Sequence, residues 1–415
     1  MSHDTLPAAP PAQTHSPTST RRHGVGFWVV AAAFLTAMAF STVPSPLYPL
    51  YQVRDGFSTF MVTIVFAAYA VGVIVSLVLA GHVSDWAGRK KVLIAALLLE
   101  LVAAVMFLSG TALPLLLVAR LITGLGVGAL TATATAYLHE LHSTHRPTAS
   151  GQRFEKVSTA ANIGGLGVGP LVAGFLAQFV AAPLHTPYLV FAVLIVVAVV
   201  GVALVPETVA ELPERPAYRP QRISADHGDR AGYFAAAAAG FASFAVFGVF
   251  TSVAPGFVAG TLDHPSRALS GATVFAVFGT AALAQTMTSR MSSTAKLSLG
   301  ISAEALGLIA LVIGMHTLSL PMFLVGGVVA GIGAGVLFKA AVGAVVAMAA
   351  PAERSEALAG LFLISYLGLG IPAVGIGIAT LSMSATAAMT GLAALVLVLL
   401  LGVATLARRA SATPR

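Results

Sequence analysis

Long apolar runs recur along nearly the whole chain, separated by short polar breaks or by breaks rich in glycine and proline. A bilayer core needs about twenty consecutive apolar residues for one helical crossing, and runs such as 92–110 lack the polar face of a soluble helix. The pattern therefore predicts an all-α membrane protein with twelve transmembrane helices. The predicted spans are residues 26–47, 58–82, 92–110, 114–138, 154–180, 186–206, 231–258, 269–289, 297–315, 321–349, 356–380 and 384–406.

Composition agrees with this class, because 57% of the 415 residues are hydrophobic and only 9% are charged, against about 25% charged in soluble domains. The chain has no cysteine, which excludes disulfides, thiol catalysis and thiolate metal sites. The net charge of +7 suggests no nucleic acid, since the basic residues cluster at predicted membrane edges, where orientation explains them. The predicted environment is a lipid bilayer, with no cofactor, no metal and no nucleic-acid partner.

Polar segments divide the predicted spans into two sets of six. Residues 1–24 lack the apolar core and cleavage site of a signal peptide, and they are predicted to form a disordered cytoplasmic tail. The predicted units that follow are an N-terminal six-helix bundle at 25–206, a cytoplasmic linker at 207–230, a C-terminal six-helix bundle at 231–407 and a cytoplasmic tail at 408–415.

Basic residues predict the orientation of the chain. An even number of spans puts both ends on one side, and the opposite side offers only Arg54 and Arg267 as basic residues. By the positive-inside rule, both termini and the linker are expected in the cytoplasm, and the chain is expected to be a multi-pass protein of the plasma (inner) membrane. The short loops on the expected cytoplasmic side hold Arg89, Lys90, Lys91, Arg146, Arg153, Arg290, Lys296 and Arg354.

The two sets of spans also repeat in sequence. In the first register, Gly124, Gly126, Gly128 and Leu130 recur as Gly331, Gly333, Gly335 and Leu337. In the second register, Arg153, Glu155, Gly167, Gly169 and Gly174 recur as Arg354, Glu356, Gly368, Gly370 and Gly375. Such duplication indicates two pseudo-symmetric bundles around a central site, as in many secondary transporters.

The loop between the second and third spans carries a motif. Its candidate residues are Gly81, Asp85, Gly88, Arg89 and Lys90, and their spacing resembles the loop signature of the major facilitator superfamily. The resemblance implies the fold of that family and a charged conformational latch that breaks when the halves rock. Trp86 departs from the family pattern, which usually has a basic residue there. The alternative is that the loop's charges only fix topology.

The fifth span carries a second motif, formed by Gly165, Gly169, Pro170 and Gly174. It resembles the signature of the twelve-helix drug/proton antiporter type of the same superfamily, and this resemblance implies export. Pro170 removes a backbone hydrogen bond, and the glycines admit a neighbouring helix. Plain helix packing is the alternative.

Charged residues inside the spans are candidates for proton coupling, because such residues are costly unless paired. Glu100 and Glu304 lie near mid-membrane, and a carboxyl buried away from charges is suited to carry a proton. Arg120 has the position of an arginine that precedes glycines in the same superfamily. Depth along antiparallel helices predicts that Glu100 and Arg120 are neighbours whose pairing couples protons to conformational change. A structural ion pair or polar contact is the alternative.

Four residues are candidates for the substrate cavity: Lys339, Phe244, Phe247 and Gln285. Phe244 and Phe247 belong to a phenylalanine stripe on the seventh span, which could line a greasy cavity or face lipid. Lys339 could attract an anionic substrate or extend its ammonium group to the membrane surface.

These observations predict a secondary active transporter and not an enzyme. The predicted activity is proton-coupled efflux of a hydrophobic or amphipathic small molecule by alternating access, with protons as the coupling ion and a monomeric protein. Asn162, Gln178 and Gln285 are the only amide side chains clearly inside the predicted spans, whereas a sugar site needs several polar partners. The alternatives are proton-coupled uptake of a sugar or metabolite and, from another class, a non-transporting membrane sensor.

Overall fold

The computed structural model describes residues 17–209, 218–222, 229–351 and 353–412. This part of the chain contains twelve helices long and apolar enough to cross a membrane, and no strand. The all-α fold with twelve spans is therefore confirmed. The helices are α1 Arg21–Asp55, α2 Thr59–Ala80, α3 Arg89–Ser109, α4 Leu113–His145, α5 Gln152–Phe179, α6 Thr186–Leu204, α7 Arg230–Ser252, α8 Arg267–Met287, α9 Ser293–His316, α10 Leu320–Met348, α11 Arg354–Ala379 and α12 Ala385–Ala407.

Most helix ends lie within a few residues of the predicted ends, and the exceptions have local causes. Prolines at 44, 46 and 49 do not end α1 but bend it through a 3₁₀ turn, Ser45–Leu47, into a further helical segment, Tyr48–Asp55. The seventh span ends earlier than predicted, and Pro255 starts a separate short helix, Ala254–Gly260. Most of the predicted N-terminal tail and much of the predicted linker lie outside the described residues.

Glycines on α4 and α10 give the two halves the same internal packing. A Cβ at Gly124 would lie 2.2 Å from the Tyr69 carbonyl oxygen on α2, and a Cβ at Gly331 would lie 2.5 Å from the Val277 carbonyl oxygen on α8. The middle glycines face the third helix of each half: Gly126 faces α3, and Gly333 faces α9. The first sequence register therefore corresponds to a repeated three-helix contact, since each α4 glycine and its α10 counterpart meet equivalent helices.

The second register does not correspond residue by residue. Gly169 packs on α1 of its own half, whereas its sequence counterpart Gly370 faces Ala70 on α2, across the boundary between the halves. Gly368 takes the role of Gly169, because it lies against the Phe241 backbone on α7. At Gly169, a shift of two residues therefore separates the sequence match from the packing match.

The halves touch mainly through two helix pairs, α5 with α8 and α2 with α11. Both pairs meet on the side opposite to the start of α1 and the end of α12, here called the far side; the other is the terminal side. A Cβ at Gly271 would lie 2.2 Å from the Pro170 carbonyl oxygen, and a Cβ at Gly377 would lie 2.0 Å from the Thr63 hydroxyl oxygen. Backbones this close leave no passage between these helices on the far side.

Candidate functional site

A cavity lies between the halves and reaches the terminal side. Its wide outer compartment has a volume of about 650 Å³ and extends to Gly81, Glu140 and Ser355, at or near helix ends on that side. A narrower inner compartment of about 70 Å³ continues toward the far side and ends at Arg120. Thr131, Asn162, Ile163, Phe338, Phe362 and Tyr366 line both compartments. The arrangement is a passage open at one side and closed at the other.

Aromatic rings from both halves line the inner compartment. The Phe244 ring lies 4.9 Å from Phe338 and 5.2 Å from Tyr366, centroid to centroid, and Phe247 stacks on Phe278 at 4.7 Å. Phe244 and Phe247 both line this compartment. The stripe divides at Phe250, which packs on Phe323 instead. Such a lining suits an apolar or aromatic ligand body.

Arg120 lies at the closed end of this compartment, seven residues from the far-side start of α4 and thus about 10 Å deep. Its Nη1 donates to the carbonyl oxygen of Ser41 at 2.5 Å, and the guanidinium carbon lies 4.6 Å from the Tyr69 ring centroid. The residue is 1% exposed, and its Nε–H has no hydrogen-bond partner in the described part of the chain. The guanidinium is thus held by a carbonyl and an aromatic face, with donor capacity left over.

Glu100 does not pair with Arg120, contrary to the expected contact. No ion pair joins the two side chains, and neither Glu100 carboxyl oxygen has a hydrogen-bond partner among the described residues. The carboxyl is completely buried and lies against Gly126, where a Cβ would come within 2.9 Å of Oε1. The two residues lie at similar depths in the membrane, as the helix lengths indicate. The rotation of α3 about its axis, however, directs the Glu100 carboxyl toward the glycine face of α4.

Glu304 occupies the equivalent place in the second half. It is completely buried on α9, its carboxyl oxygens lack partners, and its backbone lies against Gly333 of α10. Neither Glu100 nor Glu304 lines the cavity. The two proton-coupling candidates are therefore repeat-related carboxyls at helix contacts beside the passage.

A single π-helical turn, Ala160–Gly164, interrupts α5 where the helix meets the cavity. Such turns insert one residue and are frequent at functional sites, and here Asn162 and Ile163 reach both compartments. Gln285 lines the outer compartment as expected. Lys339 does not line either compartment; its Nζ donates to the Gln285 carbonyl oxygen at 2.5 Å.

The glycines of the α5 motif serve two different contacts. Gly165 and Gly169 face α1 within the same half, and a Cβ at Gly169 would lie 1.9 Å from the Ala39 carbonyl oxygen. Gly174 faces α8 of the other half, where a Cβ would lie 2.5 Å from the Arg267 carbonyl oxygen. Beside it, Arg267 Nη1 donates to the Ala177 carbonyl oxygen at 2.9 Å. The motif glycines therefore pack helices together inside the first half and also close the far side between the two halves.

The loop motif forms a charge cluster inside the first half. Arg89 contacts Asp85, binds Glu140 at 2.9 Å and donates to the Ser84 hydroxyl at 2.7 Å. The motif therefore does not join the halves in this conformation, in which the terminal side is open. A latch between the halves remains a prediction for the opposite conformation.

Glu207, which directly follows the sixth span, closes the same cluster. Its carboxylate accepts hydrogen bonds from the backbone N–H groups of Arg89 and Lys90 at 3.0 and 3.1 Å, at the start of α3. A negative group is favourable at a helix N-terminus. Gly88, at a φ of 102°, makes the turn that precedes this contact, and Lys90 Nζ also donates to the Ala203 carbonyl oxygen.

Sequence reasoning missed several residues that line the inner compartment. Tyr69 and Tyr366 face Arg120 and Phe244, and Phe338 and Phe362 pack beside them. One signal was present, because a lone phenol inside an otherwise apolar span needs a polar neighbour when it is buried. The phenylalanines gave no comparable signal, since lipid-facing positions favour them too.

A duplicated helical fold with a one-sided passage between its halves defines a membrane transporter. The family model of the Major Facilitator Superfamily matches residues 29–319, and the chain belongs to that family.

Among characterised and uncharacterised relatives, the matches are local. An uncharacterised MFS-type transporter of Mycobacterium tuberculosis strain H37Rv is 27% identical over 181 residues, covering 41% of this chain and 26% of that protein. The arabinose-proton symporter of Bacillus subtilis strain 168 is 29% identical over 126 residues, covering 29% of this chain and 27% of that protein. The chain thus matches about a quarter of the length of these relatives.

Among solved structures, a human organic anion transporter is similar over 94% of this chain and 100% of that chain, with a TM-score of 0.66 and 18% identity. Similarity at this identity shows the fold alone. The expectation of a major facilitator fold is confirmed, whereas the antiporter type is not decided by these relatives.

Proposed function

We propose that the protein is a proton-coupled exporter of a hydrophobic or amphipathic small molecule that works by alternating access in the plasma membrane. The observation that carries the proposal is the aromatic cavity between the halves, open to the terminal side and closed on the far side by α5–α8 and α2–α11. A monomer contains the whole passage, so no second copy is needed.

The charge distribution supports an inward-facing orientation. The loops of the terminal side carry most of the basic residues, including Arg89, Lys90 and Lys91, and such residues favour the cytoplasm. With that orientation, the open cavity receives its ligand from the cytoplasm, which is the loading step of an exporter. The antiporter-like glycines of α5 add a resemblance to exporters.

Glu100 is the proposed proton carrier. Its carboxyl is buried and has neither a hydrogen-bond donor nor an ion-pair partner among the residues that the structure describes, so a charge there would be costly unless a partner came close. Arg120 lies on the neighbouring helix α4. A change in the relative rotation of α3 and α4 would bring the two together, and protonation would control whether that state is favoured.

The test compares Glu100→Gln with Glu304→Gln in proteoliposomes carrying a pH gradient. Both substitutions keep side-chain size at repeat-related positions, so shared structural effects cancel. We expect Glu100→Gln to bind substrate but to lose the dependence of transport on the gradient, while Glu304→Gln keeps it. Undiminished gradient-driven transport by Glu100→Gln refutes the coupling role.

Direction is tested in the same vesicles. Reversing the gradient distinguishes export from uptake. Uptake is the second candidate function, because the chain has a local similarity to a proton symporter. Accumulation of substrate on the side that the protons leave supports exchange; accumulation on the side that they enter supports uptake.

A further inference from the structure

We infer that the inner compartment selects organic anions, and that Arg120 binds the anionic group while the aromatic rings hold an apolar body. This inference rests on the proposed function and specifies its substrate class. Three features of the described residues carry it: the charges that line the cavity, the incomplete contacts of Arg120 and the aromatic walls.

The inner and outer compartments of the cavity differ in the charged residues that line them. Among the described residues that line the two compartments, the formally charged ones are Arg120 and Glu140. Glu140 lies at the mouth and is already bound to Arg89 at 2.9 Å and to the Thr208 hydroxyl. The inner compartment therefore has a positive charge at its closed end and no carboxylate in its described lining, which disfavours a cationic ligand there.

Arg120 has unused binding capacity. A guanidinium has five N–H donors in a planar fork, yet the donor contact that holds Arg120 is the one to the Ser41 carbonyl oxygen. Its Nε–H is buried without a partner, and no ion pair joins it to a carboxylate of the described residues. Burial of such a cation is costly, and a bound anion would satisfy both the charge and the free donor.

The walls specify the rest of the ligand. Phe66 and Tyr69 lie at 5.9 and 4.6 Å from the guanidinium carbon, and Phe244 continues the aromatic surface to Phe338 and Tyr366, which also line the outer compartment. A ligand with an anionic group at one end and fused or linked rings at the other matches this order of surfaces, with the rings extending into the outer compartment because the inner one, at about 70 Å³, is too small to enclose them. A small inorganic anion would leave the rings without a partner.

The experiment measures equilibrium binding of three ligands of one shape to the purified full-length protein in nanodiscs, by isothermal titration calorimetry. The ligands are 2-naphthoate, neutral 2-naphthamide and cationic 2-naphthylmethylammonium. We expect 2-naphthoate to bind at least about tenfold more tightly than the amide, a factor that corresponds to about 1.4 kcal/mol, and the ammonium compound to bind most weakly. Equal affinities, or preference for the cation, overturn the inference on the wild-type protein alone.

Variants of the protein test which residues cause the preference for 2-naphthoate. Arg120→Lys should keep the preference for 2-naphthoate, and Arg120→Met should abolish it; retention of the full preference by Arg120→Met overturns the role of Arg120. Phe244→Ala should weaken all three ligands by a similar factor. If Arg120→Met does not fold, the lysine variant and the ligand series on the wild type still decide whether the compartment prefers an anion.

Failure of this inference is distinguishable from failure of the proposed function. Proton-driven transport of neutral or cationic compounds, without anion preference, would overturn the inference and leave the exporter standing. Tight, Arg120-dependent binding of 2-naphthoate without proton-driven export would support the inference and refute the exporter.

Discussion

Replacing Gly174 by alanine should shift the protein toward the conformation that is open on the far side. The new Cβ would lie 2.5 Å from the Arg267 carbonyl oxygen and 3.2 Å from the Gly271 Cα, both on the facing helix α8. Since these contacts exist only while α5 and α8 touch on the far side, the substitution penalises that conformation and spares one in which the two helices separate.

The magnitude follows from overpacking. Inserting a methyl group into a well-packed contact costs about 1–3 kcal/mol. The gain in helix propensity from glycine to alanine, about 1 kcal/mol, is present in both conformations and cancels in their ratio. The ratio of far-side-open to far-side-closed molecules should therefore rise about five- to 150-fold.

A single reporter cysteine can measure this shift, because the chain has none of its own. Thr63→Cys is suitable, since Thr63 is fully buried at the α2–α11 contact, against Gly377 and away from the substituted pair. The rate of alkylation by a membrane-impermeant maleimide, applied from the far side, should rise with the population of the open conformation.

Two matched glycines on the same span serve as controls. Gly169→Ala should lower thermal stability with little effect on the relative alkylation rate, because its clash with the Ala39 carbonyl oxygen lies within one half. Gly164→Ala should leave the relative alkylation rate unchanged and should not lower thermal stability, since nothing lies within 4 Å of the added Cβ. An unchanged alkylation rate in Gly174→Ala would refute the idea that this contact controls the closure.

Three further results are expected. Asp85→Asn should leave expression intact, because Glu140 still holds Arg89, but should slow turnover in a transport assay; normal turnover would reduce the loop to a topology signal. Glu207→Ala should lower the free energy of unfolding by about 1–3 kcal/mol, because backbone donors at the start of α3 lose their acceptor; an unchanged melting temperature would contradict this. Tags at Tyr218 and the C-terminus should be cytoplasmic and a tag near Asp263 external; accessibility of the first two from outside would refute the orientation.

The helices were predictable from sequence, whereas their rotations were not. Span length follows from the thickness of the bilayer, so apolar runs locate α1 to α12 within a few residues at most ends. The repeated glycines on α4 and α10 located a packing face correctly, because a helix can approach closely only where side chains are absent. Depth alone could not tell that Glu100 faces Gly126 and not Arg120. Nearly uniform apolarity around α3 gives little information about which residue points inward.

The residues that line the inner compartment were likewise only partly predictable from the sequence. Phe244 and Phe247 were expected there, but Tyr69 and Tyr366 come from helices whose sequences do not mark an inward face. Contacts between distant spans, such as α2 with α11, determine which rings meet. The link from Glu207 to the start of α3 also joins positions more than a hundred residues apart, and no local pattern encodes it.

The segment Tyr218–Arg222 ties the central linker to the first half. It is fastened to the end of α2, where the Gln221 N–H donates to the Val78 carbonyl oxygen at 2.8 Å and the Tyr218 hydroxyl donates to the Leu79 carbonyl oxygen at 3.0 Å. Seven peptide units then separate Arg222 from Asp229, just before α7, and a chain of that length reaches at most about 25 Å. While the fastening holds, the linker is a short tether, and shortening it by a few residues should restrict the width to which the terminal side can open.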